Sequence, residues 1–127
     1  MNYIVTPFKQ LTKAEEQIMQ VLWLLEEAFT KDIIEHLPEP KPHYNTVSTL
    51  LRILTDKGFV VAKPVAKSYL FKPLVKKEAY SKKSLKQFIG NYFNGSFSDM
   101  ISFFAKEKDI SVSELEQVLK EMKKIQK

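Results

Sequence analysis

The sequence has no cysteine and only three glycines among its 127 residues. The lack of cysteine excludes disulfides, thiolate metal ligands and a cysteine nucleophile. No apolar run approaches the roughly 20 residues needed to cross a bilayer, so we expect no membrane insertion. The opening segment MNYIVTPFKQ does not have the layout of a signal peptide. We therefore expect a cytoplasmic, globular protein that binds no cofactor and no metal.

Sequence patterns typical of catalysis are also missing. The two histidines, His36 and His43, are seven residues apart with three prolines between them, which is not the i, i+4 spacing of a helical metal pair. Neither HExxH, nor a glycine-rich phosphate loop, nor GxSxG occurs in the chain. The sequence thus predicts that the protein is not an enzyme.

The positive charge lies mainly in the middle of the chain. The net charge is +5, yet residues 1–40 hold three lysines against seven acids. Residues 41–86 hold eleven Lys/Arg against two acids, and residues 87–127 hold six of each sign. An isolated surface lysine is usually only solvated, but such a one-sided excess is typical of a polyanion-binding face.

Two helices are predicted before residue 42. Thr12 and Glu15 have the spacing of a capping box, which predicts the start of the first helix. Its apolar stripe comprises Ala14, Ile18, Val21, Leu22 and Leu25. Thr30 is the expected N-cap of the second helix. The apolar face of that helix comprises Ile33, Ile34 and Leu37, before the prolines at 38, 40 and 42.

The segment PHYNTVSTLLRILTDKGF, residues 42–59, carries two helical stripes at once. The apolar stripe comprises Val47, Leu50, Leu51 and Leu54. The polar stripe comprises Asn45, Ser48, Thr49 and Arg52, and it contains no acid. Gly58 suits the left-handed position that ends a helix. A neutral, hydrogen-bonding face with one arginine is the kind that reads base edges in the major groove.

The residues after Gly58 predict two strands, at 59–63 and 68–72, joined by a loop. Three helices followed by a hairpin are the layout of a winged helix-turn-helix, in which the third helix enters the major groove. We therefore expect a DNA-binding domain over residues 1–75, with a double-stranded DNA operator as its partner.

Particular side chains are candidates for contact with DNA. Those expected to contact bases are Asn45, Thr46, Ser48, Thr49 and Arg52. Those expected to contact the backbone are His43, Tyr44, Lys63, Lys67, Ser68 and Tyr69. One alternative is that His43 or Asn45 caps the helix while the Ser/Thr face meets only water. A second alternative is a winged-helix protein-interaction module that binds an acidic partner and has no sequence-specific DNA binding.

Residues 76–127 are expected to be helical and to form a dimerisation domain. Ser111 and Glu114 give a second capping box. The predicted interface comprises Phe88, Tyr92, Phe93, Phe97, Phe103, Phe104, Leu115, Leu119 and Met122. The alternative is that these aromatics fill a monomeric core. The expected fold is thus mostly α with a small β-hairpin: a winged helix-turn-helix followed by a helical dimerisation region.

Four segments together resemble the penicillinase-repressor (BlaI/MecI) family of transcriptional regulators. They are LTKAEEQIMQVLW, NTVSTLLRILTDKGFV, SYLFKP and FIGNYFNGSFSDMISFF. The resemblance implies a homodimeric repressor on a palindromic operator. It also implies relief of repression when a membrane-bound sensor metalloprotease triggers cleavage in the dimerisation region. The matching position here is Ser102-Phe103, where the best-known members have Asn-Phe.

Overall fold

Residues 10–125 are described by a computed structural model, without the side chains of Met122 and Ile125. The helices are α1 (Lys13–Leu25), α2 (Thr30–Glu35), α3 (Tyr44–Asp56), α4 (Lys77–Tyr92), α5 (Phe97–Lys106) and α6 (Val112–Ile125). The strands are β1 (Val60–Val65) and β2 (Ser68–Pro73). This architecture confirms the predicted mostly helical fold with one hairpin. The segment read for a signal peptide lies outside the described residues, apart from its last residue.

Helix α1 begins at the predicted capping box. The Glu15 backbone N–H donates to Thr12 Oγ1 at 3.2 Å, and the Thr12 N–H donates to Glu15 Oε1 at 2.9 Å. Ala14 was expected in the apolar stripe, but it is exposed. The buried residues of α1 are Glu15, Ile18, Met19, Val21 and Leu22. Ala14 lies about 100° from Glu15 around the helix and therefore falls at the edge of the core.

Helix α2 begins one residue earlier than the sequence predicts. Thr30 is its first residue rather than its N-cap, and Phe29 occupies the cap position. The Phe29 N–H donates to Asp32 Oδ2 at 3.1 Å, so an acid in the first turn closes the helix end without a hydroxyl cap. His36 directly follows the helix, at its C-terminal cap.

The hairpin turn is shorter than predicted because β1 continues to Val65, two residues into the expected loop, whereas β2 begins at Ser68 as predicted. Antiparallel pairing runs from Val60–Pro73 to Val65–Ser68, which leaves only Ala66 and Lys67 in the turn. Pro64 is therefore a strand residue, although the sequence places it in the loop. Pro64 belongs to the pair next to the one that closes the turn, and this is a non-hydrogen-bonded pair of the antiparallel ladder. Because proline has no backbone N–H, it matters that this position contributes no N–H to the ladder, and the sheet loses no hydrogen bond.

The chain divides into two compact units, one that ends at Ser81 and one that begins at Lys82. The core of the first unit lies among α1, α2, α3 and the hairpin. Its fully buried side chains are Ile18, Met19, Leu22, Ile33, Val47, Leu51, Leu54, Phe59 and Val60. Tyr80, from the start of α4, joins this core, and its hydroxyl accepts from the Leu11 N–H at 3.1 Å. The Trp23 indole N–H donates to the Val75 carbonyl at 2.8 Å.

The second unit buries very little of its apolar surface. Among its side chains of described burial, only Ile89 and Met100 are buried hydrophobics. Helix α4 ends where Gly95, at φ +81°, donates its N–H to the Ile89 carbonyl at 3.0 Å. The predicted capping box of α6 is confirmed, because the backbone N–H groups and side chains of Ser111 and Glu114 bond reciprocally at 3.1 and 3.3 Å.

Within residues 10–125, none of the helices combines the length and hydrophobicity that crossing a bilayer requires.

Candidate nucleic-acid interface

Helix α3 is fixed against the core by one face. Val47, Leu51 and Leu54 are fully buried, and Leu50 is half-buried against them. Their i, i+4, i+7 spacing puts them on one side of the helix. The same burial forces the residues between them to the outside, so the predicted apolar stripe determines which side chains α3 presents to solvent.

The presented face is the predicted polar stripe. Asn45, Ser48, Thr49 and Arg52 are all exposed and line one shallow surface depression. Thr46 is exposed as well but lies outside this depression. The first acid on this side of the helix is Asp56, one turn beyond Arg52. The N-terminal three turns of α3 therefore offer uncharged hydrogen-bonding groups and one guanidinium, with room for a partner to approach.

None of the described side chains caps the N-terminus of α3. His43 occupies the cap position, but neither it nor Asn45 makes a capping hydrogen bond, and the first main-chain bond runs from the Val47 N–H to the His43 carbonyl at 3.2 Å. The capping alternative for these two residues is therefore wrong in this structure. Unpaired N–H groups and the helix dipole favour an anion at this end.

A groove separates the starts of α2 and α3 from the tip of the hairpin. Its lining residues are Phe29, Thr30, Lys31, Tyr44, Val65, Ala66, Ser68 and Tyr69. Three of the predicted backbone-contacting residues thus come together here. The other three, His43, Lys63 and Lys67, are exposed but do not line the groove. Their role in DNA contact stays a prediction, as it does for the residues on α3.

Lys31 is a lining residue that the sequence analysis did not single out. It stands in the acidic first third of the chain, where a charge count assigns it to an unremarkable surface. Only the fold brings it beside Tyr44 and the hairpin. The one feature of the sequence that could have drawn attention to Lys31 is that it is the only lysine between Lys13 and Lys41.

Two lysines of the basic middle segment have structural roles. Lys57 Nζ lies 2.7 Å from Glu15 Oε1, and this pair joins the C-terminal end of α3 to the start of α1. Lys41 Nζ donates to the main-chain carbonyls of Glu35 and Leu37, just after α2. These cations are therefore engaged within the protein, and the positive charge left for a polyanion is smaller than the sequence count indicates.

Glu15 is almost completely buried, with 3% of its surface exposed. Burial alone raises the pKa of this carboxyl group. The hydrogen bond from Lys57, the Thr12 backbone N–H and the positive charge of Lys57 act in the opposite direction and prevail. The net result is a pKa below the ordinary value of 4.5, so Glu15 is ionised when the pair is intact.

The predicted dimer residues lie on a largely uncovered surface of the second unit. Those that are exposed are Phe88, Tyr92, Phe97, Phe103 and Leu119, while Phe93, Phe104 and Leu115 are half-buried. The Met122 side chain lies outside the described part. Ring centroids 5.7 Å apart join Phe93 to Phe103 and Phe103 to Phe104. These aromatics touch one another without filling a closed monomeric core.

Ser102 and Phe103, the candidate cleavage position, are both exposed and lie in the middle of α5. The bond between them is therefore helical. In the described part of the chain, no three side chains of the His, Cys, Asp and Glu types are grouped closely enough to hold a metal ion.

Comparison with known proteins places these features in a family. The methicillin resistance regulatory protein MecI of Staphylococcus aureus (strain N315) is 28% identical over 110 residues, covering 86% of this chain and 89% of that protein. The penicillinase repressor of Bacillus licheniformis is 25% identical over 118 residues, covering 90% and 92%. The model of the penicillinase repressor family matches residues 11–124. The chain therefore belongs to the penicillinase repressor family.

Proposed function

We propose that this protein is a dimeric transcriptional repressor that binds a palindromic DNA operator through its winged helix-turn-helix. Of the relatives over nearly the whole chain, one is named a penicillinase repressor and another a methicillin resistance regulatory protein. The observation that carries the proposal is the exposed, acid-free depression of Asn45, Ser48, Thr49 and Arg52 on α3. Arginine pairs with guanine, asparagine pairs with adenine, and Ser/Thr suit several base edges and the thymine methyl.

The hairpin and the groove beside α3 support the same function. In the proposed complex, α3 lies in the major groove while Lys63, Lys67, Ser68 and Tyr69 contact phosphates. His43 and Tyr44 contact the backbone at the N-terminus of α3. Phosphate contacts fix the register of the protein on the duplex, whereas the base contacts select the sequence.

The dimer in this proposal follows from both specificity and stability. One winged helix makes few base contacts, each worth about 1–3 kcal/mol of discrimination, and two half-sites roughly add these terms. A second unit with so few buried side chains is too small to be stable alone. A two-fold dimer would cover the aromatic surface of both copies with one self-complementary patch. The DNA-binding domain of residues 1–75 and the dimerisation domain of residues 76–127 have these separate roles in the proposal.

Relief of repression in this proposal is proteolytic. A membrane sensor metalloprotease would trigger a cut in the dimerisation domain near Ser102-Phe103 and so separate the two copies. Because this bond lies inside α5, the helix must first unwind locally before a protease can bind it in an extended form.

Selection of binding sites from a random pool of duplex DNA tests the proposed function. The purified protein is incubated with the pool at about 0.1 M salt, and the bound fraction is amplified and sequenced over several rounds. We expect an enriched inverted repeat. Enrichment without any inverted repeat would contradict a dimeric operator. A pool with no enrichment at all would favour an interaction module for an acidic protein partner.

A further inference from the structure

We propose that the groove between α2, α3 and the hairpin tip holds the sugar–phosphate backbone of one operator strand, and that Lys31 pairs with a phosphate there. The inference rests on the proposed function, because it adds a residue to the same DNA-binding surface. It goes beyond the proposed function because it assigns a DNA contact to Lys31, a side chain from the acidic first third of the chain.

The chemistry of the lining suits a phosphodiester. Thr30, Tyr44, Ser68 and Tyr69 contribute hydroxyl groups, Lys31 contributes an ammonium, and no carboxylate of residues 10–125 lines the groove. Hydroxyl, ammonium and backbone N–H groups are the usual donors to phosphate oxygens. The apolar side chains of Phe29, Val65 and Ala66 complete the walls, against which a sugar ring can pack.

The charge of Lys31 is free to act on a ligand. Within residues 10–125, Lys31 takes part in no ion pair. Its neighbour Asp32 is the nearest acid in sequence, and the Asp32 carboxylate already accepts a hydrogen bond from the Phe29 N–H. An exposed ammonium beside four hydroxyl-bearing residues therefore gives the groove a positive electrostatic potential.

The groove and the depression on α3 are lined by neighbouring residues of that helix. Tyr44 lines the groove, and the next residue, Asn45, lines the depression. A strand whose bases face α3 must pass its backbone along one edge of that helix. The first turn of α3 contributes Tyr44 to the groove, and the hairpin contributes Ser68 and Tyr69.

The experiment compares Lys31→Met with Lys13→Met on the selected operator duplex. Lys13 is the matched control, because it is also an exposed lysine at a helix start. Lys13 is two residues before Glu15 on α1. Glu15 pairs with Lys57 at the C-terminal end of α3, about 20 Å along that helix from Tyr44. Because a dimer brings one Lys31 to each half-site, we expect Lys31→Met to lower the magnitude of the slope of log K against log [salt] by about 1.8, and binding at 0.1 M salt to weaken by about 60-fold. Lys13→Met should match the wild type in both measurements.

Neutral methylphosphonates placed one at a time along the operator identify the contacted phosphate. We expect one position per half-site that weakens the wild type but no longer affects Lys31→Met. If the wild type binds its operator and Lys31→Met shows the same salt slope and the same methylphosphonate profile, the Lys31 inference is wrong while the proposed function stands. If the wild type selects no operator from the DNA pool, the proposed function and the Lys31 inference are both wrong. Circular dichroism melting checks that each variant is folded.

Discussion

Among the described residues, Arg52 is the one charged side chain that lines the depression on α3, and a guanidinium can bind guanine with two parallel hydrogen bonds. We predict that Arg52→Ala loses about 1–3 kcal/mol of discrimination at one base position per half-site. Lys67→Ala, in the hairpin turn, should instead weaken all sequences alike and reduce the salt slope by about 0.9 for each protomer bound. Competition binding with single-base operator variants separates the two effects.

Arg52→Lys is the control that separates the effect of the two-bond contact with guanine from the effect of the positive charge. Lysine keeps the positive charge but cannot form the planar two-bond contact, so Arg52→Lys should retain binding to random DNA and still lose base preference. Equal losses on operator and random DNA for Arg52→Ala would mean that the side chain contacts phosphate rather than a base.

Glu15 and Lys57 give a prediction about stability and pH. At pH 7 we expect Glu15→Gln to lose about 2 kcal/mol of unfolding free energy, because a hydrogen bond between charged groups becomes a weaker one. The wild-type advantage comes from a carboxyl whose folded pKa is below 4.5. It is therefore fully present above pH 4.5 and disappears as the pH falls through the folded value.

Urea unfolding at pH 7, 4.5 and 3 checks this pH dependence, with Glu16→Gln as the control at the next residue. The gap between wild type and Glu15→Gln should narrow as the solution is acidified. A gap that stays constant from pH 7 to pH 3 would show that the ionised carboxylate does not contribute.

At the scale of the element, helix ends were predictable where the signal is local. Capping boxes at Thr12 and Ser111 and the glycine at the end of α3 depend on neighbours within a few residues, and all three appear in the structure. The start of α2 was misplaced by one residue because Asp32 closes that end in place of Thr30.

Contacts over long sequence separations were not predictable. Lys57 and Glu15 are 42 residues apart, and Tyr80 and Leu11 are 69 residues apart, so only the folded chain brings each pair together. Lys31 was missed for the same reason: its place in the groove depends on the hairpin, which follows more than 30 residues later. Helical periodicity was enough to predict the exposed face of α3. Predicting which cations remain free for DNA would have required the tertiary contacts.

Gly58 and Gly90 give a pair of substitutions with opposite expected signs. Gly58 follows α3 at φ +84°. An added Cβ would meet no atom within 4 Å, but a residue with a Cβ is strained at this backbone angle. Gly58→Ala should therefore cost about 1 kcal/mol. Gly90 lies inside α4 with equally open surroundings and without a positive φ. Gly90→Ala should stabilise by about 0.5–1 kcal/mol, because alanine favours the helix interior. Urea unfolding at one fixed protein concentration measures both, and effects of the same sign would contradict this account.

For the whole molecule, the central question is what covers the apolar surface of the second unit. Leu119 is 57% exposed on α6, and Tyr92 is 72% exposed on α4. We predict that the protein sediments at twice the 14.8 kDa of one chain at micromolar concentration. Leu119→Lys should shift it toward the monomer, because two-fold symmetry places the new charge in the interface twice.

Gln117→Lys adds the same charge to the opposite face of α6, about 200° from Leu119, and should leave the dimer intact. The monomeric variant should also bind a full operator no more tightly than a single half-site, since the gain from a second recognition helix is lost. Sedimentation equilibrium and half-site binding thus examine one claim by independent routes. A wild type of 14.8 kDa, or equal dissociation of both variants, would mean that the aromatic surface does not hold two copies together. Helices α4 to α6, which bury few side chains, would then need a partner other than a second copy of this chain to be stable.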